Sequence, residues 1–270
     1  MQKSINIKPL KSFLAKSAFI TIVIGQLIFV LYMLMHYGYR GYTQGLNSLT
    51  NTKLPTENGI VPGDSLGNIA FIIHIIIAVI VFVGGPLQFI DRIREKHPKL
   101  HHWNGRIYII TGVLTSIAGL YLIWIRGTIG DLSQHISTSF NGILIIAFAY
   151  FAITNAVQRK VLKHKQWVFR LFIAYAGVWF IRIMLMAWIA MTNGAGIDWS
   201  TFSGPALTAI HFSSYIVPLC ILQLYFFSGT KSNNLLDMTL VALFTACIAF
   251  MLLGIYAATM SLWLPKILGV

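Results

Sequence analysis

Residues 68–90 read NIAFIIHIIIAVIVFVGGPLQFI, a stretch with no Asp, Glu, Lys or Arg and a single histidine, His74. A helix needs about 20 apolar residues to cross the hydrocarbon layer, so this stretch reads as a transmembrane span. Working outward from it, apolar runs bounded by charge or by Gly/Pro/Asn punctuation recur near 17–36, 105–126, 136–157, 167–192, 206–228 and 236–263. The expected fold is therefore an all-α polytopic membrane protein with seven transmembrane helices. Composition agrees, since 57% of the 270 residues are hydrophobic and 10% charged, where a soluble domain carries about a quarter charged residues. The spans leave no room for a large soluble domain.

A net charge of +13 invites a nucleic-acid reading, but the distribution of the basic residues excludes it. Lys3, Lys8, Lys11 and Lys16 precede the first span. Arg92, Arg94, Lys96, Lys99 and Arg106 follow the second, Arg159, Lys160, Lys163, Lys165 and Arg170 follow the fourth, and Lys231 follows the sixth. The opposite side has only Arg40, Lys53, Arg126 and Lys266. Such asymmetry is a topology signal, placing the N-terminus inside and the C-terminus outside. The first span lacks a small-residue cleavage site and reads as a retained anchor. Cys220 and Cys247 fall within spans and form no metal or haem-attachment motif. Trp103, Trp124, Trp167, Trp188, Trp199 and Trp263 fall near span ends, where indole rings favour the headgroup region.

A faint duplication lies inside residues 68–192. His74 precedes His102 by 28 residues and His135 precedes His164 by 29, each pair bracketing a span and a basic loop. The two hairpins are expected to form a four-helix core from spans two to five, with 17–36 and 206–263 peripheral. His74 and His135 would share an outer level, and His102 and His164 an inner one. Histidines from alternate helices at two levels suit axial ligation of one or two b-type haems. His101 and His211 are the substitutes, while His36 and His97 read as loop residues. Gly85, Gly105, Gly112 and Gly142 could make room for a macrocycle, although small residues also serve close helix packing. A structural role stays open for each histidine: a hydrogen-bonded group inside a span, or a solvated side chain in a loop.

Arg182 lies near the middle of the fifth span, where a charge costs about 2.5 kcal/mol or more unless paired. Every acidic residue falls in a loop or at a span end, so a haem propionate, a quinone carbonyl, another anion or a backbone carbonyl would have to serve as its acceptor. Arg106 and Arg170 could do the same for an inner haem, or simply report topology. The outer connection 37–67, with Tyr37, Tyr39, Tyr42, Pro55 and Pro62, is long enough for a lid.

The residues His74, Gly84-Gly85-Pro86-Leu87-Gln88-Phe89, Leu100-His101-His102-Trp103-Asn104-Gly105-Arg106-Ile107-Tyr108 and His164 to Arg170 resemble, over about 68–190, an uncharacterised family of bacterial integral membrane proteins of unknown function. In layout alone the chain is similar to the transmembrane di-haem b cytochromes, which implies electron transfer across the bacterial inner membrane, with quinol or another redox partner. The alternatives are a haem-free transporter or anion- or lipid-binding protein, and an assembly factor for a respiratory complex. No Ser-His-Asp, His-Glu-x-x-His or phosphate-loop pattern supports hydrolysis, so any enzyme here would be a transmembrane oxidoreductase.

Overall fold

The computed structural model describes residues 7–49, 60–127, 130–230 and 233–268. Lys3, Lys53, Pro55 and Lys231, on which part of the charge and lid readings rests, lie outside the described residues. Seven helices are long and apolar enough to cross a membrane. The helical segments are α1 (Lys8–Met33), α2 (Arg40–Gln44), α3 (Ser65–Leu87), α4 (Asp91–Lys96), α5 (Pro98–Tyr121), α6 (Leu132–Val157), α7 (Val161–Thr192), α8 (Pro205–Thr230), α9 (Asn234–Ala258) and α10 (Leu264–Leu268). All seven expected spans are present among the described residues; each begins earlier than expected, while the second ends at Leu87, short of residue 90. Without water, only complete intrahelical bonding satisfies a spanning backbone, and local chemistry sets the ends. Pro98 opens α5, while Asp64, Asp131 and Asn233 cap α3, α6 and α9 by accepting from the amides of Gly67, Gln134 and Leu235.

Three spans do not stop where their α-helices do. Leu34–Tyr39, Leu122–Arg126 and Thr259–Trp263 are π-helical turns, and chain direction puts all three at the face opposite the N-terminus. Tyr37, Tyr39 and Tyr42 thus belong to a helical extension of the first span, which shortens the expected 37–67 connection. Likewise His36 is not a loop residue; it stacks on Tyr32 at 5.3 Å, and its Nδ1 lies 3.3 Å from the Lys266 carbonyl.

Surfaces are apolar. On α3 the exposed large residues Ile69, Ile73, Ile76, Ile80 and Val83 recur at helical spacing and form a lipid-facing stripe. The core is organised around α7, whose Leu171, Ala174, Ala176, Trp179 and Ala187 are fully buried. It packs against α6, α8 and α9, and α9 packs along α1. The main cluster joins Phe29, Phe82, Trp179, Ile221, Phe244 and Ile255 from five spans, so the first, sixth and seventh spans share a core with α3 and α7. Glycines permit this closeness: a Cβ on Gly254 would meet the Ile183 carbonyl, and one on Gly25 would meet Trp179 and Ile255.

At the basic end, Lys11 is more than a topology charge. Its ammonium lies 2.6 Å from Asp237 Oδ1 and donates to Ser228 Oγ at 3.0 Å, with Lys11 8% and Asp237 1% exposed. This pair joins α1, α8 and α9. Breaking a buried ion pair leaves one charge uncompensated. Lys11→Met is therefore expected to cost about 3–5 kcal/mol in detergent unfolding, and Lys11→Met with Asp237→Leu to recover most of it. Gly254→Val, pressed onto backbone, should cost about 1–3 kcal/mol, whereas Gly38→Ala, with open space around it, should leave the melting temperature unchanged.

Candidate functional site

The π-turns surround a cavity of about 480 Å³ between α1, α3, α5, α6, α7 and the Thr259–Trp263 turn. Arg126, Gly127 and Lys266 line its mouth at the face opposite the N-terminus, and Gly112, Ile145 and Tyr175 lie deepest. Because π-turns widen a helix and carry its side chains out of register, Tyr37, Ile123 and Trp263 all reach this one space. At the entrance the Arg126 Nε–H donates to Asp64 Oδ2 at 2.8 Å, tying the start of α3 to the turn after α5.

Arg182, on α7, and His74, on α3, both line the cavity. The Arg182 Nη1–H donates to the Val178 carbonyl at 2.8 Å, one turn back on its own helix, and its guanidinium lies 5.0 Å from the centre of the Phe29 ring. Among the described residues no carboxylate pairs with it. The cavity wall also carries buried polar atoms without hydrogen-bond partners: His74 Nδ1, Tyr175 OH, Asn141 Oδ1 and Trp263 Nε1. Such groups cost about 1–3 kcal/mol each when unmatched. Four such atoms lie on residues that line the cavity, the Tyr175 hydroxyl being packed against Gly112.

Residues 71–202 match the model of a family of predicted membrane proteins, DUF2306. The match covers the stretch from α3 to the turn before α8, and so includes His74, Asn141, Tyr175 and Arg182. No curated protein and no solved structure matches the chain.

Other candidate residues are placed elsewhere. His135 lies outside the cavity lining, its ring 6.1 Å from that of Trp124 and its Nε2 buried without a partner. His211, on α8, also keeps an unpartnered Nδ1 outside the lining. At the basic end His102 is exposed, while His101 is half-buried with an unpartnered Nδ1 and lies within electrostatic reach of His164. His101 also lies 6.1 Å, ring to ring, from His102. These residues belong to α5 and α7, not to loops, because both helices begin earlier than their apolar runs. His164 Nδ1 bonds the Ala152 carbonyl at 2.9 Å, which fixes the ring and leaves Nε2 available.

Arg106 packs over Trp103 at 5.2 Å, and Arg170 donates to Gln223 Oε1 at 2.6 Å while lying over Trp167. Both face the basic end, away from the cavity. Gly112 and Gly142 line the cavity, whereas Gly85 and Gly105 sit against Tyr108 and Gln88. Trp263 departs from its expected headgroup role, being 1% exposed and inside the wall. Among the described residues no group of three or more His, Cys, Asp or Glu could hold a metal ion. Sequence reasoning missed Asn141, Tyr175 and Trp263. The available signal was a polar atom in mid-span, as at Arg182, but tyrosine and tryptophan pass there for ordinary core.

Proposed function

We propose that the protein is a membrane-embedded binding protein for an apolar molecule with an anionic or carbonyl head, held in the cavity between Arg182 and His74. The observation that carries this is the Arg182 guanidinium, which has no carboxylate partner and shares its wall with four unmatched polar atoms. An oxyanion or carbonyl offers the acceptor that the guanidinium lacks, while Phe71, Val81 and Phe82 suit an apolar body. A quinone or a lipid-like carboxylate has this chemistry, and both partition into a bilayer. Losing one partner of a desolvated charged contact costs about 2 kcal/mol or more, roughly thirtyfold in affinity. Solvent extraction and mass spectrometry of detergent-purified protein should recover a stoichiometric apolar molecule, and Arg182→Gln should lower its recovery by about that factor. Unchanged recovery from the variant would refute the reading.

A second reading, a b-type haem protein passing electrons from a donor such as quinol across a bacterial inner membrane, is favoured by the basic-end histidines. His164 has its Nδ1 engaged and Nε2 available beside His101, the usual preparation of a ligating imidazole. At the cavity the fit is partial, because His74 is the single histidine in the lining. A pyridine haemochrome assay decides this reading. Haem is expected in protein from haem-replete cells, with about half lost in His74→Ala or His164→Ala if there is one ligand tier at each end; colourless protein rules it out.

A further inference from the structure

From the cavity floor, polar side chains continue toward the basic end along the seam between α3, α5 and α7. Tyr175, on the floor, meets Tyr108 edge-on at 5.0 Å between ring centres. Tyr108 is 2% exposed and its hydroxyl has no partner. That hydroxyl lies beside Gly85, where a Cβ would come within 3.1 Å of it. Next, Asn104 Nδ2 donates to the Gly84 carbonyl at 2.8 Å, and Gln88 Nε2 to the His101 carbonyl at 3.4 Å. The file ends at His101, whose Nδ1 is unpartnered and which faces His102, His164 and Arg94. By helical rise Tyr108 lies about 15 Å from the start of α5 and Tyr175 about 21 Å from the start of α7, so the file reaches roughly 20 Å from the basic end to the cavity floor.

Two features separate this seam from ordinary packing. Tyr175 at 8% and Asn141 at 6% are, like Tyr108, more than nine-tenths buried with polar atoms unmatched. A buried tyrosine hydroxyl normally finds a partner, and a water needs two to four polar neighbours of the kind this file supplies. Small residues flank the file: Gly84 and Gly85 beside Tyr108 and Asn104, Gly112 beside the Tyr175 hydroxyl.

We propose that this seam is a proton path from the basic face to the cavity floor, and that Arg182 is the electrostatic barrier that ends it. Hydroxyl and imidazole groups both accept and donate, so with intervening water they can pass a proton without net movement of side chains. Arg182 stands between Tyr175 and the cavity mouth, and a fixed guanidinium there repels an incoming hydronium as cationic barriers do in pores. The path delivers protons from the basic face to the head group in the cavity, which rests on the ligand reading above, and Arg182 keeps them from escaping to the other side.

The test is proton flux into proteoliposomes with trapped pyranine, driven by a valinomycin–potassium potential. Wild-type protein should conduct little, Arg182→Gln at least about tenfold more, the barrier being a unit charge in a low-dielectric site, and Arg182→Gln with Tyr108→Phe should return to the wild-type rate. No increase in Arg182→Gln, or a double variant as leaky as the single one, overturns the proposal. If Arg182→Gln does not fold, hydroxyl-radical footprinting of the wild type decides: Tyr108 and Tyr175 should be labelled by adjacent water while Tyr215, 1% exposed and bonded to Ser137, stays unlabelled. An unlabelled Tyr108 overturns it. Neither measurement depends on the co-purified molecule, so proton conduction and ligand binding can fail separately.

Discussion

Holding a guanidinium within the hydrocarbon layer sets the terms for everything on the far half of this protein. Arg182 spends one N–H on the Val178 carbonyl and leans on the Phe29 ring, and neither neutralises it. A charge at this depth needs polar surroundings or water, and Arg182 borders the cavity between the spans. Three of them end in π-turns at the same face, and Tyr37, Ile123 and Trp263 from those turns line the space. Trp179 on the next turn of α7 stays fully buried, so the same helix serves a dry core on one side and a polar cavity on the other.

That double duty explains why α7 needs close neighbours. Gly25 and Gly254 let α1 and α9 approach it until Trp179, Ile183 and Ile255 are in contact. Across the helix, Gly177 rests beside the Asn141 amide, which donates to the Ala174 carbonyl at 3.0 Å. A helix gripped from both sides cannot tilt to carry Arg182 toward a headgroup, so the charge stays at its depth.

Much of the fold was legible because a lipid solvent writes a strong signal: long apolar runs, charged loops and capping residues such as Asp64 and Asp131 mark spans without reference to tertiary structure. Their ends were less legible, since His101 and Lys163 are helical yet too polar to extend a hydropathy run. Arg182 and His74 could be singled out because a charge or imidazole in mid-span is conspicuous. Tyr108, Tyr175 and Trp263 could not, because their rings look apolar in sequence and only the folded seam reveals hydroxyl or indole groups without partners. Helix order was the other obstacle. Spacing along the chain suggested pairing His102 with His164, but helical phase leaves His102 exposed and its neighbour His101 half-buried.

The Lys11–Asp237 pair links the first spanning helix to the last. During synthesis the ammonium is made more than two hundred residues before its counter-ion. Until the final hairpin arrives, the first segment must keep this lysine hydrated at the interface or shielded by an insertion factor. A product truncated before Asp237 would leave this lysine without its counter-ion.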